Sequence, residues 1–411
     1  MVNNMKHHLE CMACGAKYKP EEVLYVCRKC RGLLDVRYDY REVSGLRSDV
    51  WADRPLSVWR YRELLPEFKP SSIVSFGEGG TGLHRCSRLA NSLGVRNLYL
   101  KNEGENPTGS FKDRGMTVGV SKAVELNAHM VACASTGNTS ASLAAYAAKA
   151  GLQCVILIPS GEVAFGKLAQ AVICGAKIVQ IRGNFDEALK IVLQLSELNS
   201  KLYLLNSVNP YRLEGQKTLG YEVCEQLNYR VPDRIVLPVG NAGNISAIWK
   251  GFVELHRLEL IRSLPRMVGV QAEGAAPIAR AFKSGRSEIE PVVNPKTAAT
   301  AIRIGSPINW RKALTAVVES EGLMEIVSDE EILQAQKLLA SLEGLFVEPA
   351  SASSIAGLRK LVEGGFVDRD EEIVCVATGH GLKDPDIVMK VCEKPVEADP
   401  NLESIRNVLK I

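Results

Sequence analysis

Two sets of residues in this sequence are of types and spacings that do chemistry. The first centres on Lys112, in the turn Asn106-Pro-Thr-Gly-Ser-Phe-Lys-Asp-Arg-Gly115. Pro107 and Gly109 fix a loop, Ser110 is placed to cap a helix, and Lys112 falls in that helix's first turn. The positive end of the helix dipole and the neighbouring Arg114 disfavour an ammonium there, which lowers the lysine pKa and frees a lone pair for attack on an aldehyde. A lysine at a helix start is also a common solvated side chain, so this motif alone leaves both readings open.

The second set is Cys11-x2-Cys14 and Cys27-x2-Cys30, four of the eleven cysteines. Two such pairs on tight turns are spaced for zinc, and four thiolates close a tetrahedral shell with no position for water, so the expected role is structural. Gly15 and Gly32 are expected to let the two turns curl. Free thiols and a decayed ribbon are the alternatives. Zinc ribbons also bind nucleic acid, but Glu21, Glu22 and Asp35 interrupt the basic residues and no aromatic platform is evident, so a folding clasp is the better reading.

These residues need elements to hold them. Beyond about residue 60, short β-branched runs alternate with helical stretches, which predicts an α/β fold with parallel-rich sheets flanked by helices. Expected strands cover 97–101, 130–134, 153–159, 177–181, 234–239, 267–272 and 372–377; expected helices cover 138–150, 163–174, 185–198, 214–227 and 244–256. Runs such as Cys154-Val-Ile-Leu-Ile are apolar without alternation, as in strands covered on both faces. Ligands in such folds gather at the carboxyl ends of strands.

Three further turns stand at such ends. Ser135-Thr-Gly-Asn-Thr-Ser140 offers more hydroxyls and amides than capping needs, a cradle for a carboxylate. Pro238-Val-Gly-Asn-Ala-Gly-Asn244 opens a helix with two glycines that let backbone amides approach a phosphate, yet lacks the Gly-x-Gly-x-x-Gly of dinucleotide folds, which favours a monophosphate. Ala377-Thr-Gly-His-Gly-Leu-Lys-Asp384 presents Thr378 as a neutral hydroxyl; His380 within it reads as structural.

Taken in order, these four turns resemble the threonine synthases, fold-type II pyridoxal-phosphate enzymes with a two-lobed, tryptophan synthase β-like architecture. Asn206-Ser-Val-Asn-Pro-Tyr-Arg-Leu-Glu-Gly-Gln-Lys217 and Thr300-Ala-Ile-Arg-Ile-Gly-Ser-Pro-Ile-Asn-Trp310 extend the resemblance, which covers roughly residues 50 to 395. It implies Lys112 as the imine-forming lysine with Phe111 beside it, and Asn138 facing the cofactor's phenolic oxygen. Gly240, Asn241, Ala242, Gly243 and Asn244 would hold the cofactor phosphate, and Thr378 would face the pyridine nitrogen. A hydroxyl at that nitrogen weakens the electron sink and favours elimination and replacement over transamination. For substrate it implies Ser135, Thr136 and Thr139 at the carboxylate, and Asn206, Ser207 and Arg212 at a substrate phosphate. A planar guanidinium suits a phosphate.

The implied reaction is that of a carbon–oxygen lyase acting on phosphate: γ-elimination of phosphate from O-phosphohomoserine and addition of water at the β carbon. A cysteate synthase-like replacement on O-phosphoserine differs by one methylene, a small handle for discrimination. From another class, a zinc-ribbon nucleic-acid-binding protein with an inactive enzyme body is the competing reading. The implied organisation is a zinc-ribbon-like segment over 1–45, a large cofactor-binding domain over 46–106 and 206–411, and a small mobile domain over 107–205 that closes on substrate.

Composition agrees with an enzyme of small molecules. Among 411 residues, 50 basic and 47 acidic side chains leave a net charge of +3, so no polyanion partner is expected. No run reaches membrane-spanning length, and the first residues lack a signal-peptide core; with cysteines mostly scattered through apolar runs, a cytoplasmic location is expected. A homodimer is implied by the resemblance alone.

Overall fold

The computed structural model describes residues 6–160, 165–183, 185–199, 201–387 and 395–411. Its backbone is organised by three sheets. The N-terminal one is antiparallel, ordered β2-β1-β3 from β1 (His7–Cys11), β2 (Lys17–Tyr18) and β3 (Leu34–Tyr38). A six-stranded sheet has the order β12-β11-β10-β13-β5-β4. Its strands are β4 (Leu83–Arg85), β5 (Asn97–Asn102), β10 (Arg234–Pro238), β11 (Arg266–Ala272), β12 (Leu323–Val327) and β13 (Glu372–Ala377). All pair in parallel except the edge strand β4. A four-stranded parallel sheet, ordered β8-β7-β6-β9, comprises β6 (Met130–Ala134), β7 (Gln153–Pro159), β8 (Lys177–Ile181) and β9 (Leu202–Leu204).

Every residue of β10 is buried, as an unalternating apolar run requires once helices cover both faces. Three of the strand expectations shift by one residue: β5 extends to Asn102, β10 ends at Pro238 and β11 begins at Arg266. β9 and β12 are short runs that were not anticipated. The helix Asn138–Ala150 ends where expected because Gly151 adopts φ 69° and donates back to the last turn. Of the expected helix over 163–174, Phe165–Ile173 is helical, and residues 163 and 164 lie outside the described residues.

The expected helix over 214–227 is two helices. One, Pro210–Gln216, begins earlier, because Pro210 occupies its first turn and the Asn209 side chain accepts from the Tyr211 amide. The other, Thr218–Gln226, follows after Lys217. The first of them lies hard against the helix Lys112–Glu125. A β carbon on Gly215 would come within 1.7 Å of the Arg114 carbonyl, and one on Gly119 within 2.5 Å of Leu205. Glycine at these crossings lets the helix bearing Lys112 touch the helix bearing Arg212.

The clasp segment joins the core of the six-stranded side. Leu9, Cys11, Leu34, Val36 and Tyr38 pack in one cluster with Tyr211, Tyr221, Ile245 and Trp249. Among the described residues, no helix is long and apolar enough to cross a membrane.

Candidate functional site

One cavity of about 1720 Å³ opens between the carboxyl ends of the parallel strands. Phe111, Lys112, Ser135, Thr136, Asn138 and Thr139 line it from one side. Asn206, Ser207, Arg212, the loop Gly240, Asn241, Ala242, Gly243, Asn244, and Thr378 complete its wall. The structure thus brings together every residue that the resemblance assigns to cofactor or substrate, although they come from segments up to 267 positions apart, Phe111 to Thr378.

Lys112 is the first residue of the helix Lys112–Glu125, and its Nζ lies 4.1 Å from the centroid of the Phe111 ring. It makes no hydrogen bond or ion pair among the described residues. Burial holds its pKa down at about 7, helped by the Arg212 charge and opposed by Glu348. The depression was expected from the sequence, but its source differs. Arg114 turns away from the cavity and is neutralised between Glu103 and Glu222, with contacts of 2.6–2.7 Å, all three side chains fully buried. Ser110 does not cap this helix either; Phe111 is the N-cap residue, and the buried Ser110 hydroxyl has no partner among the described residues. Asp113, on the next position, accepts from the Thr108 amide (2.7 Å) and hydroxyl (2.6 Å) and from Ser142, and burial raises its pKa to about 6. Those bonds fix the Pro107–Gly109 turn to the helix start.

Asn138 opens its helix and donates through Nδ2 to both oxygens of Glu348, at 3.1 and 3.0 Å. Glu348 is buried, which raises its pKa against the effect of those two bonds. It was missed in the sequence, where its only signals are Pro349 at a helix start and three serines in the first turns of the helix Pro349–Glu363. One of these, Ser351, lies 3.2 Å from the Thr378 hydroxyl and bonds both the amide and carbonyl of Gly379. His380 reads as structural: its Nδ1 accepts from the Leu382 amide and its ring meets Phe346 edge-on.

In the loop after β10, Ala242 adopts φ 64°, an αL conformation uncommon for a residue with a β carbon, and the helix Gly243–Arg257 starts at once. The first amides of a helix have no intrahelical acceptor. Asn244, buried just inside, has neither side-chain polar atom bonded among the described residues. A β carbon on Gly240 would lie 3.1 Å from Ile302 Cα, so this loop is held against the 300–302 segment. Asn309 continues that contact, its amide donating to the Asn241 carbonyl and its side chain to the Ser207 carbonyl (3.1 Å). A loop with free amides, a buried unsatisfied Asn244 and a nearby unprotonated-prone lysine fits a phosphate-bearing aldehyde cofactor.

Arg212 is the most unusual charge in the cavity. It is 2% exposed, its Nη1 donates to the Leu205 carbonyl at 3.1 Å, its Nε is unsatisfied, and it meets no carboxylate among the described residues. Burial alone lowers its pKa to about 10. Asn206 is less available: its side chain both accepts from and donates to the backbone of Ala134, at 2.9 Å each. One amide hydrogen of Asn206 remains for a ligand.

Away from the cavity, the sulfurs of Cys11, Cys14, Cys27 and Cys30 all lie within 4.8 Å of one another. The Cys11–Cys30 and Cys14–Cys27 separations are 3.4 and 3.6 Å, near the ~3.8 Å edge of a tetrahedron with metal–sulfur bonds of about 2.3 Å. The Lys29 amide and Tyr18 hydroxyl point at Cys27 sulfur, at 3.3 and 3.1 Å. Gly15 takes φ 67° as expected, but in the second turn it is Arg31 that curls, at φ 60°; Gly32 is glycine for space, since its β carbon would sit 3.1 Å from Cys11 sulfur.

The model of the pyridoxal-phosphate dependent enzyme family matches residues 74–379. Threonine synthases of Methanosarcina acetivorans and Methanocaldococcus jannaschii are 59% and 56% identical, over 98% and 97% of this chain and 98% of each relative. That of Mycobacterium bovis is 52% identical over 83% of this chain and 92% of its own length. Among solved structures, diaminopropionate ammonia lyase from Escherichia coli aligns with a TM-score of 0.65 at 16% identity, covering 80% of this chain and 94% of that one. Threonine deaminase isoform 2 from Solanum lycopersicum aligns at 0.63 and 23%, covering 76% and 87%. The chain belongs to the pyridoxal-phosphate-dependent enzymes and, within them, to the threonine synthase family.

Proposed function

We propose that this chain converts O-phosphohomoserine and water into threonine and inorganic phosphate, with pyridoxal phosphate on Lys112. The family and the relatives support the reaction, and Arg212 is the observation in the site that carries it: a buried guanidinium without a carboxylate is costly unless an anion arrives. A substrate phosphate is that anion. Arg212, Ser207 and the free amide hydrogen of Asn206 would receive it, while Ser135, Thr136 and Thr139 receive the amino-acid carboxylate at a helix N-terminus.

The cofactor, when bound, supplies an electrophilic carbon and a sink for the electrons released at the substrate's carbon atoms. Gly240 to Asn244 would hold its phosphate, Asn138 its phenolic oxygen, and Thr378 its ring nitrogen with a neutral hydroxyl. Lys112 is the proton carrier. With a pKa near 7, about half of its amine is unprotonated at neutral pH, far more than for an ordinary lysine, and can take the proton from the substrate α carbon and then from the β carbon. Phosphate departs with its bridging oxygen beside Arg212. Protons return to the γ and α carbons, and the hydroxyl of water ends on the β carbon.

In the same reading the four cysteines hold a structural zinc, residues 107–205 form a lobe that closes on substrate, and the protein is a cytoplasmic homodimer with no nucleic-acid or membrane partner. The test is stoichiometry. The cofactor-loaded enzyme should release threonine and phosphate in equal amounts from O-phosphohomoserine and turn over O-phosphoserine far more slowly. Preference for O-phosphoserine, or phosphate release without threonine, overturns the proposal.

A further inference from the structure

The stretch from β9 to the helix Pro210–Gln216 carries Asn206, Ser207 and Arg212, and both of its ends are held by the clasp. At one end, the backbone amide of Leu204 donates to the Tyr25 hydroxyl at 2.7 Å, a buried bond across 179 positions of sequence. At the other, the Tyr211 hydroxyl donates to the Pro20 carbonyl at 3.2 Å, and its ring meets His7 edge-on. Pro20 and Tyr25 belong to a single loop, the one between Cys14 and Cys27. The Cys14 and Cys27 sulfurs, at either end of that loop, lie 3.6 Å apart.

The rest of the helix is tied down in the same direction. Glu214, one turn from Tyr211, accepts from the Tyr38 hydroxyl at 2.6 Å, and Lys250 bridges Glu214 to the Val36 carbonyl, at 2.6 Å each. Tyr38 and Val36 lie on β3, the strand that follows the second cysteine pair. Arg212 faces the opposite way, into the cavity, and among the described residues its side chain is held only by its bond to Leu205. Its position is therefore set by where the backbone on either side of it is fixed.

We propose that the cysteine clasp is a positioning element for the substrate phosphate: Tyr25 and Pro20, on the loop between the cysteine pairs, brace Leu204 and Tyr211 and so set the Asn206–Arg212 grip. The proposal rests on the reading that Arg212 receives that phosphate. Among the described residues no hydrogen bond joins Pro20 or Tyr25 to the cofactor residues, so loosening the clasp loop should weaken phosphate binding and leave cofactor binding intact. Tyr25 and Pro20 act through other residues, and neither lines the cavity.

The test uses the full-length, cofactor-loaded enzyme and inorganic phosphate as the probe. Tyr25→Phe and Tyr211→Phe each remove one hydroxyl and keep the ring, and Cys14→Ser opens the thiolate cluster; Arg212→Gln is the control for the grip. Each Phe variant should weaken phosphate binding about 5- to 10-fold, the effect expected of a lost bond to a backbone group that is buried at Leu204 and half-buried at Pro20, and raise KM for O-phosphohomoserine by a similar factor. For the two Phe variants the maximal rate and the cofactor absorbance should change less than twofold, and Cys14→Ser should weaken phosphate binding at least as much as they do. If Arg212→Gln weakens phosphate binding while all three clasp variants leave it within twofold, the brace is refuted and the proposed function stands. A loss of rate and of cofactor in parallel with KM also refutes the brace, since general destabilisation would produce it. If Arg212→Gln itself leaves phosphate binding unchanged, the phosphate reading fails first.

Discussion

Replacing Arg212 by methionine separates the roles of a charge that the fold tolerates and the substrate needs. Burial moves its pKa from 12.5 to about 10, equivalent to a cost of about 3 kcal/mol for keeping the cation where no carboxylate meets it. Methionine removes that cost and fills much of the same space. It gives up the 3.1 Å bond to the Leu205 carbonyl, worth about 1 kcal/mol. The net expectation is a protein more stable by roughly 2 kcal/mol without phosphate. The catalytic effect has the opposite sign. Removing one partner of a buried charge pair costs about 2–5 kcal/mol, so kcat/KM for O-phosphohomoserine should fall between roughly 30- and 4000-fold. The assay pairs steady-state phosphate release with denaturant unfolding, with and without inorganic phosphate. Wild type should be stabilised by phosphate and the variant should not. A variant that is markedly less stable without phosphate, and whose kcat/KM stays within a few-fold of wild type, would show that Arg212 is a structural residue.

Other expectations follow from the same site. Lys112→Ala should abolish turnover and the borohydride-reducible yellow chromophore, and reaction of the apoprotein with pyridoxal phosphate should rise with pH through a midpoint near 7. Because the folded-state pKa of Lys112 lies below that of the unfolded chain, the unfolded chain binds more protons between about 7 and 10.5, so this lysine makes apoprotein stability rise with pH across that window; the reverse slope at a Lys112-specific difference against the alanine variant would count against its burial. Ala242→Gly should relieve the φ 64° conformation and stabilise the protein by roughly 0.5–1 kcal/mol, read as a small rise in Tm. Chelation with release monitored by a colorimetric dye should yield one zinc per chain from wild type and none from Cys11→Ser.

Much of this arrangement was legible because strand-end turns carry their chemistry in local sequence. Ser135–Ser140 and Pro238–Asn244 are contiguous, and the strands before them are unbroken apolar runs, so both the element and the function of the turn can be read together. What could not be read depends on chain pieces far apart. Arg114 is next but one to Lys112, yet its charge is spent on Glu103 and Glu222, and the cation that acts on the lysine is Arg212, a hundred positions away. Glu348 has no motif of its own, and only the fold brings it to the cavity wall, beside Asn138 and within the influence of Lys112. The break at Lys217 was hidden because the helical period runs through it, while Asn209 and Pro210 mark the true start. The bond between Tyr25 and Leu204 leaves no trace in sequence at all.

The central claim concerns which bond of the substrate breaks, and isotopic oxygen reads it directly. Turnover of O-phosphohomoserine in heavy-oxygen water should place the label in the β-hydroxyl of threonine and leave the released phosphate unlabelled, because the carbon–oxygen bond is cut and phosphate keeps its four original oxygens. Label in the phosphate, with homoserine as the product, would mean that water attacks phosphorus and would contradict the assignment of Lys112 and Arg212 to an elimination.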